Sequence, residues 1–510
     1  MKFTIVKFLQ NKNIEEPIHI NIKNVIGFLV LFLTHVFLQQ NSTTAIVLSL
    51  TELAVITCFV LIKKIEKAYL LLLLVLAASL EMGVFVFGDT GKPVYSIYGI
   101  PGIGASFFYL LTYILCCYTY QKWRYRFARN INEHPALKHF IKCLCWLLIT
   151  GIFSMLITYL VNDNGIQNLS WYPASMILIT LRILSLYALL FNGIILVVSD
   201  KKYYDFLSKL FTEILIAGAI ASVITVVLGL HGYYGPITTI LLMPLMVSLC
   251  PVLIVCALYV KIRYRFLCIL LGVVFVMISF THSSLMGAKF FIIPFFCLFL
   301  YVINSFKKQV AFGIVSGFFF LLAILVGLPS LLAYIEGNEF INWKLLQLFN
   351  MLNFASSDAF SWYLDLGNSS RFRVDEFVNI FLEYYAKPYY LPFGKGNTGT
   401  VTQWWGITNW NVYTGASFTM DQVFSGVYMS MHESLNLLFL RHGLTGLYFF
   451  FITMVSLIKR INTSPWALPG IIWLFFYWGI YYSWLPAAIM LVIALADYPK
   501  LNNKKQLLLK

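Results

Sequence analysis

The residues best able to do chemistry gather in one polar stretch of this 510-residue chain, from about Glu336 to Glu433. Within it, Ser369-Ser370-Arg371-Phe372-Arg373 offers two guanidiniums, whose planar donor forks suit phosphate oxygens. At the far end His432 stands next to Glu433. A neutral imidazole near pH 7 can take a proton from a sugar hydroxyl, and Glu433, Asp375 and Glu376 compete with it as bases. Between them, Leu391-Pro392-Phe393-Gly394-Lys395-Gly396-Asn397-Thr398-Gly399 lacks P-loop spacing and reads as a glycine turn closing a helix. Three further cations, Arg182, Lys289 and Arg441, fall inside apolar runs together with Glu52, Glu81 and Glu213. Charge is costly in lipid, so these side chains are expected to face the interior, paired or lining a wet cavity. With Arg371, the three cations make a candidate basic pocket. Structural pairs such as Glu81 with Arg182 are the competing reading.

The elements that must position these residues follow from composition. Apolar side chains make up 60% of the chain and charged ones 11%, far from the roughly 45–50% and 25% of a soluble domain. The apolar runs do not alternate, which argues against a β-barrel, and they approach the ~20 residues that cross a bilayer as helix. The expected fold is all-α and polytopic. About fourteen transmembrane helices are placed near 25–39, 43–62, 68–87, 102–120, 141–161, 174–199, 206–228, 237–260, 266–280, 285–306, 310–332, 434–458, 466–482 and 484–496. Three regions result: eleven spans over 1–334, one large outer loop with short amphipathic helices over 335–433, and three spans with a cytoplasmic tail over 434–510.

With both termini inside, alternate loops collect Lys63, Lys64 and Lys67, then Lys122 to Lys142, then Lys201, Lys202 and Lys209, and later Lys459 and Arg460. This is the positive-inside pattern. The net charge of +15 is then a topological signal, and nucleic-acid binding need not be invoked. The basic amino terminus lacks the short apolar core and cleavage site of a signal peptide. All nine cysteines fall in or beside apolar runs, as small fillers rather than metal ligands or a disulfide framework.

The long polar stretch therefore faces outward. Its aromatics, among them Trp362, Tyr363, Tyr384, Tyr385, Trp404, Trp405, Trp410 and Tyr428, read either as an interfacial belt or as platforms for sugar rings. From Arg371 to Tyr385 a helical projection gathers Val374, Phe377, Val378, Phe381, Tyr384 and Tyr385 on one side, with Glu376, Asn379 and Glu383 opposite. Such a helix would lie flat at the membrane surface, with Arg371 and Arg373 at the borders of its apolar face.

Arg371 after two serines, Pro392-Phe393-Gly394-Lys395-Gly396 about twenty residues on, and His432 leading into Leu435 to Gly446 resemble the O-antigen ligase and O-antigen polymerase (Wzy-type) superfamily, over about 335–450. Glu433 stands where the family has Asn, and Lys289 stands in for an Arg usual near an earlier outer end. The resemblance implies a glycosyltransferase of the bacterial inner membrane. It would polymerise undecaprenyl-pyrophosphate-linked oligosaccharides into O-antigen, capsule or exopolysaccharide, with a chain-length regulator as partner and without metal or other cofactor. It implies His432 as base and Arg371 as principal pyrophosphate ligand, with Arg373, Arg182, Lys289, Arg441 and Glu433 in substrate binding. An O-antigen ligase acting on lipid A-core is the first alternative. A lipid-linked oligosaccharide flippase is the second, although no internal repeat of the kind transporters carry is visible.

Overall fold

In hydrocarbon every backbone polar group must be satisfied within the chain, so long runs of Leu, Ile, Val and Phe fold as helices. The computed structural model describes residues 20–38, 42–78, 104–227, 362–364, 366, 368–406, 410, 418–429, 431, 434–460, 464, 466–467, 470–471, 474 and 485–496. They are mostly helical. The main helices are α1 (Ile22–Leu38), α2 (Ser42–Leu61), α3 (Ile65–Ala78), α4 (Gly104–Asn130), α5 (Pro135–Leu160), α6 (Tyr172–Ser199), α7 (Lys201–Val227), α8 (Asn368–Ala386), α9 (Met420–Ser425), α10 (Ser434–Ile458) and α11 (Leu485–Leu495). A two-stranded antiparallel ribbon pairs β1 (Val401–Thr402) with β2 (Val427–Tyr428), Val401 opposite Tyr428.

Helix α10 has the bounds hydropathy gives it, and α1, α2, α6 and α7 begin and end within a few residues of theirs. Helix α4 runs ten residues past the expected 120, because the basic segment Lys122–Arg129 continues the helix beyond its apolar part. Among the described residues, three helices are long and apolar enough to cross a membrane, at Pro135–Leu160, Tyr172–Ser199 and Leu435–Ile458, and shorter apolar helices span Ile22–His35 and Ile46–Leu61. The expected spans at 237–260, 266–280, 285–306 and 310–332 lie outside the described residues, as do Glu81, Lys289, His432 and Glu433.

Helices α1 to α7, α10 and α11 share one apolar core, in which Tyr69, Phe108, Phe140, Phe211 and Trp466 are fully buried. Basic side chains gather at one end of this bundle. There Lys122 pairs with Glu66, Lys202 with Asp200 at 3.3 Å, and Arg126 and Lys202 sit over the Trp123 ring. Two carboxylates expected to need interior partners have them. Glu52 meets His35 at 2.6 Å, and Glu213 accepts from Asn24 Nδ2 at 2.9 Å and the Asn21 amide at 2.8 Å.

At the opposite end, the α5–α6 connection meets a module built from 362–431. Exposed apolar stripes run along α5 (Trp146, Ile149, Phe153, Leu156, Leu160) and along α10 from the break onward (Leu444, Tyr448, Phe451, Val455). Their spacing of three or four residues keeps each stripe on one helix face. These apolar helices with apolar outer faces are compatible with a membrane protein.

Candidate functional site

Helix α8 buries a row of polar side chains beside its apolar core residues Phe372, Ile380 and Tyr384. Asp375, Glu376, Asn379 and Glu383, spaced to share one face, are all buried, whereas Phe377, Phe381 and Tyr385 are exposed. The buried polar face organises the module by hydrogen bonds. Asn379 accepts from the Trp404 and Trp405 amides at 2.6 and 2.8 Å and donates to the Trp405 carbonyl at 2.8 Å, which clamps the turn after β1. Glu376 accepts from Asn436 Nδ2 at 3.0 Å, and Asp375 accepts from the Tyr363 hydroxyl. Asp375 and Glu376, which competed with His432 as bases on sequence grounds, thus stand inside the module bonded to its own groups. Asn436 also donates to the Arg373 carbonyl, and Phe377 and Tyr384 pack on Phe439, so α8 and α10 run side by side in the same direction.

Tyr363, Tyr384, Tyr390, Trp410 and Tyr428 are buried and are neither belt nor platform. Trp410 packs with Phe372, Phe418 and Tyr428 at centroid distances of 5.4, 5.6 and 4.9 Å, and it is fully buried with Tyr384 and Tyr390 in the same cluster. Trp404, Tyr385 and Tyr389 remain exposed.

The glycine-rich segment does more than end a helix, and here the sequence reading needs correction. A 3-10 turn at Pro388–Tyr390 closes α8, and every residue from Gly394 to Thr400 is then buried. Gly394 and Gly396 have φ of +70° and +84°. A Cβ on Gly396 would overlap the Met155 backbone, and one on Gly394 would overlap that of Arg441 and His442, so only glycine fits both conformation and space. The Asn397 amide donates to the Gly151 carbonyl at 3.0 Å. Gly151 lies nine residues before the end of α5, so the segment dips about 13 Å along that helix. It is re-entrant.

Its seat is a break in α10. At Gly443 the backbone takes φ 56° and ψ −146°, which interrupts the ladder of helical bonds. The carbonyls of Leu440 and Arg441 accept instead from the Lys395 and Gly396 amides, both at 2.9 Å, and Tyr384 Oη donates to the carbonyls of Phe439 (2.8 Å) and Leu440 (2.7 Å). Beyond the break, the amides of Leu444 and Thr445 donate to the carbonyls of Leu391 (2.9 Å) and Pro392 (3.0 Å). The segment thus satisfies the backbone groups that the break leaves open.

A buried ion network holds the segment from the other side. Lys395 Nζ, with no exposed side-chain surface, is bonded to Asp163 Oδ2 at 2.6 Å, to Glu383 and to the Thr400 carbonyl at 2.9 Å. Asp163 also pairs with Lys387. Glu383 further accepts from the Thr402 amide at 2.8 Å and from Asn164 Nδ2 at 3.1 Å. Asp163 is delivered by a tight turn in which Asn162, Asn164 and Gly165 are all left-handed, a conformation Asn and Gly tolerate. Burial acts to lower the Lys387 pKa, but the hydrogen bond and charge of Asp163 outweigh it, leaving the ammonium raised above its ordinary value.

Beneath the segment, Arg441 and Arg182 are half-buried and close enough to repel one another, with the Tyr187 phenol also acting on Arg441. The next residue, His442, lies against Gly151 of α5, where Asn397 also packs. The structure therefore brings together two of the cations singled out in the sequence, Arg182 and Arg441.

Arg371 it places elsewhere. That residue turns back to donate to the carbonyls of Leu364 and Leu366 (2.8 Å) and lies over the Tyr363 ring. It sits about thirteen residues, or roughly 20 Å of helix, from the level where Tyr384 meets Leu440 next to Arg441. The expected pocket of Arg371 with Arg182 and Arg441 is thus not formed by these three. Arg373, half-buried, shares the Asn436 end of α8, while His432, Glu433 and Lys289 are outside the described residues.

Sequence reasoning missed Lys395, Asp163, Glu383, Asn397 and His442 as a connected set. The only local signals were a lysine inside Gly-Lys-Gly and an acid inside the turn-forming Asn162-Asp163-Asn164-Gly165. No protein-family model, no curated protein and no solved structure matches this chain.

Proposed function

We propose that the chain polymerises undecaprenyl-pyrophosphate-linked oligosaccharide units into surface polysaccharide on the outer face of a bacterial inner membrane, as the resemblance to the O-antigen polymerase superfamily implies. The observation that carries the reading is the pair Arg182 and Arg441, half-buried and mutually repelling below the module. Two adjacent guanidiniums at the edge of a low-dielectric interior stabilise charge that develops on a leaving pyrophosphate. In the reaction an acceptor hydroxyl oxygen bonds to the anomeric carbon of the donor sugar as that carbon's bond to the pyrophosphate oxygen breaks. The hydroxyl proton passes to His432, and the lipid pyrophosphate leaves as the anion. Arg371 and Arg373 belong to the other end of α8, near where α10 begins, and add positive charge there. Both termini are assigned to the cytoplasm, with the basic end of the bundle on that side and the module outside.

The test incubates purified protein with lipid-linked repeat units and resolves the products by gel. A ladder of products is expected, abolished by Arg441→Gln and by His432→Ala in protein that remains folded. A single-step shift onto an acceptor glycolipid would indicate a ligase instead, and no covalent product would overturn the reading.

A further inference from the structure

We propose that Asn397, His442 and Arg441 form the donor face of a diphosphate-binding site beneath the re-entrant segment, with Arg182 supplying a second positive charge. The inference deepens the reading above and rests on it for the ligand's biological source, but its geometry stands on separate observations. Asn397 is 1% exposed and, among the described residues, neither amide atom has a hydrogen-bond partner. His442 is 5% exposed with Nδ1 likewise unpartnered, and so is Nε of the preceding Arg441. Interiors seldom leave buried polar atoms unsatisfied, and several in one place point to a hydrogen-bonding guest. These side chains are held in position. The His442 side chain is held close to two glycines: a Cβ at Gly151 would come within 2.8 Å of its ring Cε1, and one at Gly446 within 2.8 Å of its Cβ. The same Gly151 lets Asn397 Oδ1 lie against it, while the Asn397 backbone is fixed by the bond to the Gly151 carbonyl.

The chemistry of the guest follows from the donors. With Asn397 Oδ1 turned onto Gly151, the groups left to offer are Asn397 Nδ2, His442 Nδ1 in its protonated tautomer and Arg441 Nε, all N–H donors. Arg441 and Arg182 are both positive, and the charge of Arg182 acts on Arg441. A ligand with several acceptor oxygens and more than one negative charge relieves that repulsion and meets the donors together, which describes a diphosphate better than a neutral sugar or a single carboxylate. Both arginines retain some exposure, so the site is reached from their side, while Asn397 and His442 form its closed end. The shared chemistry is the diphosphate itself, whether free or carried on a polyprenyl lipid.

Full-length protein in phosphatidylcholine nanodiscs is titrated calorimetrically with inorganic pyrophosphate and, separately, with farnesyl pyrophosphate. Binding of both, or of farnesyl pyrophosphate alone, is expected, the second result meaning that the anion must be presented from the membrane. Asn397→Asp keeps the side-chain size and replaces a donor by a negative charge. It should weaken binding at least tenfold with Tm unchanged, as should Arg441→Gln. Should Asn397→Asp fail to fold, Asn397→Ser at wild-type Tm takes its place. Binding of neither probe by the unaltered protein, or binding indifferent to Asn397, would overturn the site. Failure of the site and failure of the polymerase reading are separable. Asn397-dependent pyrophosphate binding without a product ladder defeats only the activity, and a ladder unaffected by the folded Asn397 variant defeats only the site.

Discussion

Replacing Lys395 by Met should detach the re-entrant segment at a cost that the ion network allows to be worked out. The ammonium is fully buried between Asp163 and Glu383 and has a third acceptor in the Thr400 carbonyl. Removing one partner from a buried ion pair costs about 3–5 kcal/mol, because the remaining charge stays desolvated and unpaired. Here the carboxylates keep part of their support, Asp163 through Lys387 and Glu383 through Asn164 and the Thr402 amide. The loss is therefore placed near the lower end, about 3 kcal/mol. Lys387 touches the same Asp163 but keeps 30% of its side chain exposed, so Lys387→Met should cost about 1 kcal/mol or less.

Thermal unfolding in detergent, followed by tryptophan fluorescence with Trp404, Trp405 and Trp410 as reporters in the module, separates the two variants. A further variant sharpens the test. Lys395→Met combined with Glu383→Gln removes one charge of each sign and should be more stable than Lys395→Met alone, a coupling that a purely steric role for Lys395 would not produce. If Lys395→Met unfolds no earlier than Lys387→Met, or the double variant recovers nothing, the network is not what fixes the segment.

Other consequences can be measured on the same protein. Gly396→Ala, which combines a left-handed φ with backbone overlap at Met155, should abolish folded protein, whereas Gly426→Ala, with φ 66° but open space around it, should cost only about 1 kcal/mol; comparable yields after detergent extraction would contradict the close packing. Asn379→Ala frees the turn at Trp404 and Trp405 and should cost about 2–3 kcal/mol, read as increased iodide quenching of module tryptophans. A tryptophan placed at Phe381, on the exposed face of α8, should be quenched by shallow brominated lipids, and quenching by aqueous iodide alone would place that face in water. Lys387 has a pKa raised in the folded protein, so its contribution is complete below its unfolded value near 10.4 and is lost as pH rises past the folded one. The stability difference between wild type and Lys387→Met should thus be flat from pH 7 to 9 and shrink above about 10.5.

The parts of the fold that hydropathy and helical period govern were legible, as the bounds of α10 and the existence of α8 demonstrate. The period of α8 also separated Glu376, Asn379 and Glu383 from Phe377, Phe381 and Tyr385, although Tyr384, placed with the latter, is buried with the former. It did not tell which face meets the protein, because a projection is symmetric under exchange of inside and outside. Knowing that Asp375, Glu376, Asn379 and Glu383 point inward requires knowing their partners, and those lie elsewhere in the chain: Asn436 is 60 residues from Glu376 and Asn164 is 219 from Glu383. The break in α10 was hidden for a different reason. Glycines such as Gly443 and Gly446 are ordinary in membrane helices, and only the segment that fills the gap distinguishes a break from a continuous span. Arg182 and Arg441 were singled out in advance, together with Lys289, because charge inside apolar runs is rare, but nothing in the sequence paired the two. Arg371 could not be excluded from their company, since nothing local to it foretold the carbonyls of Leu364 and Leu366 as its acceptors.

The broken helix, the dipping segment and the ion network form one dependency. A guanidinium at the depth of Arg441 is unfavourable in lipid, and a helix interrupted there would expose carbonyls that lipid cannot satisfy. The amides of Lys395 and Gly396 remove the second difficulty by bonding the Leu440 and Arg441 carbonyls directly. Those amides stay in place because the Lys395 ammonium is held by Asp163 and Glu383, and Glu383 stays in place because the polar face of α8 is turned inward. An outward-turned α8 would release Glu383, then Lys395, then the carbonyl of Arg441 itself. The exposed Phe377, Phe381 and Tyr385 lie on the remaining face of α8, away from Glu383 and Lys395.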